Sequence, residues 1–96
     1  MELRLLHYFV TLAEELHFGR AAQRLRISQP PLSVAIKQLE EELQAQLFER
    51  NSKGVRLTAA GEHLLAKARQ LLALSHQAAQ ETRDVARGTV GHLRLG

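Results

Sequence analysis

The sequence has no cysteine, few aromatic residues and no long apolar run. Without cysteine, disulfide bonds and thiolate metal sites are excluded, and the chain is compatible with a reducing cytoplasm. No apolar stretch approaches the roughly 18 residues of a membrane span, and the initial MELRLLHYF lacks the basic leader and cleavage site of a secretory signal. We therefore expect a cytoplasmic protein with no metal and no membrane partner.

The 96 residues are enough for one small domain, whose stability is limited unless a second chain contributes to it. Hydrophobic residues make up 45% of the chain and charged residues 24%, which is ordinary for a soluble globular protein. The net charge of +3 favours a polyanionic partner without requiring one. The positions of the charges along the chain decide whether the sequence predicts such a partner.

Apolar residues at helical spacing predict three helices in the first half of the chain. The first runs roughly over residues 2–16, and a second, shorter helix covers residues 20–25. The third follows two consecutive prolines and carries an apolar stripe of Leu32, Ile36, Leu39 and Leu43. The pattern therefore favours a mainly α fold.

The proline pair defines how the third helix begins. Pro31 suits the first helical turn, and it pushes Pro30 toward an extended backbone, which places Pro30 near the cap. Ser28 is the usual type of capping residue, but the N–H groups that it would receive are missing at the two prolines. We therefore expect Gln29 to be free to project toward a partner.

The charges are unevenly distributed around this third helix. Its first turns carry no acid, whereas the glutamates at residues 40–42 lie near the negative end of the helix dipole, where acids are mildly unfavourable. Between residues 17 and 39 there is no acidic residue, and the basic residues are Arg20, Arg24, Arg26 and Lys37. Two helices of this kind are typical of a helix-turn-helix motif, whose second helix enters the major groove of DNA. The same apolar pattern would also suit an ordinary three-helix core.

The segment LFERNSKGVRLT, residues 47–58, changes from helical spacing to a hairpin pattern. Two short strands flank the turn-forming residues 51–54, which include a glycine. Arg50, Lys53 and Arg56 lie on or beside this hairpin, so it is suited to contact the DNA backbone or the minor groove as a wing. The alternative is an exposed turn with solvated charges.

These features together resemble the N-terminal domain of the LysR-type transcriptional regulators. The residues that carry the resemblance are the alanine pair at 21 and 22, SQPPLS from Ser28, LEEEL, LFER and LTAAG, and the match extends from residue 1 to about residue 88. SQPP is also similar to the regulators of aromatic-compound breakdown. The resemblance implies a winged helix-turn-helix of three helices and a two-stranded wing, followed by a long dimerisation helix.

The resemblance also implies which residues contact DNA. Gln29, Pro30, Pro31, Ser33 and residue 34 face the DNA on the recognition helix, and Lys53 occupies the wing position that enters the minor groove. Position 34 is commonly arginine in the family and is valine here. Val34 cannot make a bidentate contact to guanine and could instead pack on a thymine methyl. To these residues we add the cations Arg20, Lys37 and Arg50 as predicted contacts.

After Thr58, a plausible N-cap, about thirty residues follow helical spacing, which is too long for a helix that only covers a small core. We predict that this helix dimerises with the same helix of a second chain, packed antiparallel as the resemblance also implies. The alternative is that its first half covers the chain's own core. The predicted seam recurs in steps of three and four and consists of Leu65, Ala68, Leu72, Ser75, Ala79, Thr82 and Ala86. It is widened by the neighbouring residues Leu64, Leu71, Ala78 and Val85.

The sequence predicts three segments along the chain. We assign residues 1–58 to a DNA-binding domain, residues 59–87 to the dimerisation helix, and residues 88–96 to a hinge and the first strand of a further domain. By the resemblance, that further domain binds a small-molecule effector, and this chain itself needs no cofactor. The resemblance implies a homodimer on an interrupted palindrome of double-stranded DNA and a full-length tetramer, and it leaves RNA polymerase open as a further partner.

Catalysis has little support in the sequence. The five histidines are spaced too irregularly for a metal motif, and there is no phosphate-binding glycine loop or nucleophile elbow. We therefore predict that the chain is not an enzyme, with no catalytic residue. Two alternatives to DNA binding stay open, namely an RNA-binding winged helix and a helical adaptor that binds only protein.

Overall fold

A computed structural model describes residues 1–88 of the chain. Four helices and one antiparallel hairpin follow one another along these residues. Their bounds are α1 (Leu3–Glu15), α2 (Phe18–Leu25), α3 (Gln29–Leu43), β1 (Phe48–Asn51), β2 (Gly54–Leu57) and α4 (Ala59–Ala86). The predicted fold class, a winged helix-turn-helix followed by a long helix, is confirmed. Residues 89–96, which include most of the predicted hinge and strand, lie outside the described residues.

The core is built around α1, which packs against α2, α3 and α4. Its buried side chains include Leu5, Leu6, Phe9 and Leu12, each at most 1% exposed. The ring centroids of Phe9 and Phe48 lie 5.5 Å apart at a tilt of 56°, which joins the hairpin to the core. Burial of α1 on several sides explains why its apolar residues exceed a single stripe.

The first three helices all end without glycine. Leu16, Arg26 and Gln44 take up the left-handed conformation, with φ of 52°, 60° and 52°, and their backbone N–H groups close the last turns. α2 begins at His17, whose Nδ1 accepts the backbone N–H of Arg20 at 3.0 Å. These tight caps keep the connections between α1, α2 and α3 short.

The hairpin pairs Phe48 with Leu57 at its base and Asn51 with Gly54 at its tip. Asn51 Oδ1 accepts the backbone N–H of Lys53 at 2.8 Å, and Gly54 has a φ of 129°, which favours glycine. These contacts define the tip, and they leave Lys53 at its outermost point.

Thr58 connects the hairpin to α4. Its Oγ1 accepts the backbone N–H of Gly61 at 3.0 Å, as the sequence predicted for an N-cap. The helix then runs for 28 residues and ends at Arg87, followed by Gly88 with a φ of 76°. Within residues 1–88, no helix is long and apolar enough to cross a membrane.

Candidate nucleic-acid interface

The recognition helix α3 begins at Gln29, which is earlier than the proline pair predicted. Ser28 has the extended backbone of an N-cap, with φ −80° and ψ 167°, and the helix starts at Gln29, so that Pro30 is helical. Pro30 does lie near the cap, as predicted, but the predicted extended backbone is wrong, because Ser28 is the N-cap and Pro30 is already helical. Within the described residues the Ser28 side chain makes no capping hydrogen bond, as expected where the prolines remove the N–H donors.

The two sides of α3 differ sharply in exposure. Leu32, Ala35, Ile36 and Leu39 face the core and are buried. The opposite side presents Gln29, both prolines, Val34 and Lys37 to solvent, with Ser33 half-buried beside them. Val34 is 64% exposed, so its side chain is accessible to a partner.

The wing lies beside this face. Ser33 and Lys37 of α3, together with Gln46 and Arg50, line a groove between the helix and the hairpin, with Glu40 and Phe48 at its floor and edge. The Arg50 guanidinium carbon lies 4.4 Å from the centre of the Phe18 ring, a cation–π contact that restricts the arginine. Lys53 lies at the exposed tip of the hairpin. The structure thus brings α3, Arg50 and the wing together.

The cations near this face fall into two groups. Arg20 is paired with the Glu15 carboxylate at 3.3 Å and with the Glu15 carbonyl at 3.3 Å, and Arg56 is paired with Glu49 at 2.7 Å. Within residues 1–88, Lys37, Arg50 and Lys53 have no carboxylate within ion-pair distance. We therefore expect Arg20, although it is one of the predicted contacts, to offer less free positive charge than these three.

A second ion-pair group lies at the end of α1. Glu14 accepts hydrogen bonds from Arg24 of α2 at 2.9 Å and from Arg69 of α4 at 3.1 Å. The hydrogen bond from Arg24, followed by that from Arg69, lowers the pKa of Glu14 below its usual value. The hydrogen bond with Glu14 in turn raises the pKa of Arg24. This group joins the helices α1, α2 and α4.

Sequence reasoning missed two residues that hold the wing in place. Glu40 Oε2 accepts the backbone N–H groups of Leu47 at 2.8 Å and Phe48 at 3.3 Å. Thr58 was predicted only as a helix cap, but its hydroxyl also donates to the Gln46 carbonyl at 2.6 Å. Glu40 was read as mildly unfavourable at the helix end, and these N–H donors offset that cost. Its partners lie seven and eight residues away, at the end of a loop and the start of β1, so helical spacing gives no signal for them.

The predicted dimer seam needs a correction at its start. Ala68 is 0% exposed because it packs into the chain's own core, and Leu65 and Leu72 are half-buried against the same core. Ala68 is therefore not available to a second chain, and its neighbours are only partly so. Farther along α4, Ser75 is half-buried, and the last three predicted seam residues are exposed, namely Ala79, Thr82 and Ala86.

Three of the residues predicted to widen the seam belong to an exposed apolar stripe of α4. Leu71 is 41% exposed, Leu74 61% and Val85 54%, and Ala78 is exposed between them. Their spacing of three, four and seven residues places them on one face. At about 100° per residue, this face is rotated by roughly a quarter turn from the main line of the predicted seam, which runs from Leu65 to Ala86.

The interface is chemically suited to binding rather than to reaction. It offers amide and hydroxyl groups from Gln29 and Ser33, an apolar contact from Val34 and free cations on both the helix and the wing. Within the described part of the chain, no three potential metal ligands lie together. An exposed helix face with hydrogen-bonding side chains, flanked by cations, matches what base edges and phosphates require.

Comparison with known proteins agrees with this architecture. Residues 3–62 match the family model described as "Bacterial regulatory helix-turn-helix protein, lysR family". The chain is 52% identical, over its whole length, to the HTH-type transcriptional regulator YnfL of Escherichia coli (strain K12), and it covers 32% of that protein. It thus spans about a third of the length of this relative.

Solved structures give the same result. The crystal structure of CbnR, a LysR family transcriptional regulator, has 42% identity and a TM-score of 0.89, over 92% of this chain and 30% of that one. The BenM_DBD/benA site 1 DNA complex has 46% identity and a TM-score of 0.87, over 92% of this chain and 99% of that one. With the family model covering most of the chain, the protein belongs to the LysR family of bacterial regulatory helix-turn-helix proteins.

Proposed function

We propose that this chain binds double-stranded DNA sequence-specifically, as the DNA-binding part of a regulator of transcription. The first turns of α3 enter the major groove, where Gln29, Ser33 and Val34 contact base edges. The wing lies in or beside the minor groove through Lys53, and Arg50 and Lys37 contact phosphates. The observation that carries this proposal is the exposed, acid-free start of α3 beside cations that have no carboxylate partner within residues 1–88.

The similarity to the DNA complex of BenM supports the proposal, because its 46% identity extends over nearly all of the protein in that complex. The acidic end of the same face supports the orientation. Glu41 is exposed near the C-terminus of α3, where it would repel phosphate, so the N-terminal turns are the ones that approach the DNA.

We further propose that two copies bind together, through α4, to an interrupted palindrome. The exposed apolar stripe at Leu71, Leu74, Ala78 and Val85 supports this arrangement, since it lies on a face of the helix that the chain's own core leaves exposed. Full-length relatives are longer, and we propose that the remainder binds a small-molecule effector. The membership of the chain in the subgroup that regulates aromatic-compound breakdown stays a prediction. The tetrameric full-length protein and the contact with RNA polymerase also stay predictions.

The first test compares DNA with RNA. A mobility shift on the duplex DNA that flanks the protein's own gene should show binding, while duplex RNA of the same sequence should not compete. Binding to the RNA alone would favour an RNA-binding winged helix. Binding to neither nucleic acid would favour a protein adaptor and would contradict the proposal.

The second test separates base contacts from phosphate contacts. Gln29→Ala or Ser33→Ala should weaken operator binding by about 1–3 kcal/mol and change binding to random DNA little. Lys53→Ala should weaken both, and it should reduce the salt dependence by roughly one released ion. Part of the Lys53 effect can depend on sequence, because a narrow A·T minor groove attracts cations. Equal losses on operator and random DNA for Gln29→Ala and Ser33→Ala would contradict the placement of α3.

A further inference from the structure

Glu40 connects the recognition helix to the wing. It lies on the half-buried edge of α3, and one of its carboxylate oxygens, Oε2, accepts the backbone N–H groups of Leu47 at 2.8 Å and Phe48 at 3.3 Å. These two N–H groups belong to the segment that enters β1. Hydrogen bonds from backbone N–H groups to an ionised carboxylate are among the stronger ones in proteins.

The other side of the same segment is held by the start of α4. Thr58 donates its backbone N–H to the Leu47 carbonyl at 3.0 Å and its hydroxyl to the Gln46 carbonyl at 2.6 Å. Glu40 therefore supplies the bond to the recognition helix, and Thr58 supplies the bond to the long helix. The entry to the wing is fixed between the two.

The core does not depend on the Glu40 bonds. The side chains of Leu47 and Phe48 are 1% and 3% exposed, so their burial anchors the hairpin to the domain in any case. The carboxylate instead constrains the backbone position and angle at which β1 leaves the core. That angle sets where Lys53, at the far end of the hairpin, lies relative to α3.

We propose that Glu40 is a positioning residue that holds the wing at the distance from α3 at which both contact the same DNA. The inference rests on the proposed function, and in particular on contacts of the wing with DNA. This role accounts for the presence of the acidic Glu40 in the groove between α3 and the wing, where its charge would repel phosphate. The bonds to the hairpin backbone outweigh that repulsion by letting the Lys53 contact form.

Glu41 is a matched control for Glu40. It is the next residue on α3, has the same side chain and is exposed, and its carboxylate makes no hydrogen bond or ion pair within residues 1–88. Removing either carboxylate removes one negative charge near the DNA. Glu41→Ala should therefore leave operator binding unchanged or slightly tighter, whereas Glu40→Ala should weaken it. Glu40→Gln keeps an oxygen acceptor, so it should retain most of the parent affinity.

The experiment is a double-mutant cycle between Glu40 and Lys53, measured as operator affinity at fixed salt. If Glu40 positions the wing, Lys53→Ala should cost much less affinity in the Glu40→Ala background than in the parent, with a coupling of at least about threefold. In the Glu41→Ala background, Lys53→Ala should cost as much as in the parent. A purely structural role for Glu40 would lower stability without changing the Lys53 effect.

Hydrogen exchange without DNA gives an independent measurement. The amides of Leu47 and Phe48 should exchange faster in Glu40→Ala, with unchanged protection of the α1 amides, and neither should change in Glu41→Ala. Unchanged amides at Leu47 and Phe48, or equal Lys53 effects in all backgrounds, would overturn the role of Glu40. If Lys53→Ala has no effect in the parent while those amides respond, the proposed wing contact with DNA is wrong, and the positioning role falls with it.

Discussion

Gly61 determines how closely α4 approaches the wing. A Cβ at this position would lie 2.2 Å from the Leu47 carbonyl oxygen and 2.7 Å from Leu57 Cδ2. Because the nearer atom is backbone, it cannot move away without shifting the hairpin. We expect Gly61→Ala to lower the free energy of unfolding by about 1–3 kcal/mol, although alanine is the better helix former. Denaturant unfolding measures this difference.

Gly19 is the control for Gly61. A Cβ there would meet Cε1 of the His17 side chain at 2.9 Å, and that ring can rotate away. Gly19→Ala should therefore leave the free energy of unfolding within about 1 kcal/mol of the parent, because the helical gain offsets the disturbed His17 cap. If Gly19→Ala and Gly61→Ala lower the free energy of unfolding equally, close packing at Gly61 is not the cause of the destabilisation.

Val34 provides the sharpest test of base recognition at the residue scale. If its exposed side chain faces a thymine methyl, Val34→Arg should weaken binding to the native site. The variant should gain about 1–3 kcal/mol when that T·A pair is changed to present a guanine, since arginine bonds guanine O6 and N7. Affinities on a panel of single base-pair changes measure this switch. If no single base-pair change alters the affinity of Val34→Arg relative to the parent, residue 34 faces solvent or phosphate.

Individual residues also show where the sequence was sufficient. The proline pair removes N–H donors, so the unused Ser28 hydroxyl could be predicted from the chemistry of two neighbours. Thr58 likewise precedes a long helical pattern, and its capping role is confirmed. The bonds of Glu40 could not be predicted, because they depend on where an irregular loop passes beside α3. The predicted DNA contacts stay predictions at every residue.

At the scale of elements, the existence and type of each helix and strand followed from spacing, and their ends did not. Left-handed caps usually contain glycine, but here Leu16, Arg26 and Gln44 adopt this conformation. The left-handed conformation is strained for residues with a Cβ, and tertiary packing compensates for that strain. The sequence alone therefore does not indicate that these residues end the helices. By contrast, the start of α4 after Thr58 agrees with the prediction.

The ion-pair group at Glu14 joins α1, α2 and α4, and it gives a prediction for pH. Hydrogen bonds from Arg24 and Arg69 lower the pKa of the Glu14 carboxyl group in the folded protein. The contribution of Glu14 to stability is therefore fully present above the pKa that this group has in the unfolded chain. That contribution is lost as the pH falls through the lowered, folded value. Glu14→Gln should therefore lower the melting temperature by a few degrees at neutral pH, with the difference from the parent disappearing in strong acid.

Thermal unfolding of the parent and Glu14→Gln across the acid range measures this effect. Asp84→Asn is a suitable comparison, because Asp84 is paired with Arg87 at 2.7 Å within one turn of the same chain segment and joins no separate helices. A constant difference between the parent and Glu14→Gln at every pH would indicate lost packing rather than lost charge.

For the whole molecule, the long helix accounts for the elongated shape, with extents of 62 × 26 × 19 Å. The sequence correctly predicted a helix that outruns the core, since its apolar spacing continues for many turns. It placed the predicted seam on the wrong side at Ala68, because the first half of α4 uses that face to cover α1. Periodicity alone cannot tell a core-facing stripe from a partner-facing one, since both recur in steps of three and four.

Two neighbouring alanines separate the two possible dimer faces. Ala78, which was predicted to widen the seam, lies on the exposed stripe with Leu74 and Val85, whereas Ala79 lies on the main line of the predicted seam, and both are exposed. If the exposed stripe forms the dimer, Ala78→Glu should bury like charges at the interface and give monomers in sedimentation. Ala79→Glu, with the same change one residue away, should leave the dimer intact.

Loss of the dimer should also weaken operator binding, because two linked half-sites bind far more tightly than one. Ala78→Glu should therefore lose affinity for the full palindrome by at least tenfold while keeping its affinity for an isolated half-site, and Ala79→Glu should keep both. The reverse result, with monomers only from Ala79→Glu, would restore the face predicted from the sequence. Dimers from both variants would move the interface off α4, since each charge would then lie in solvent.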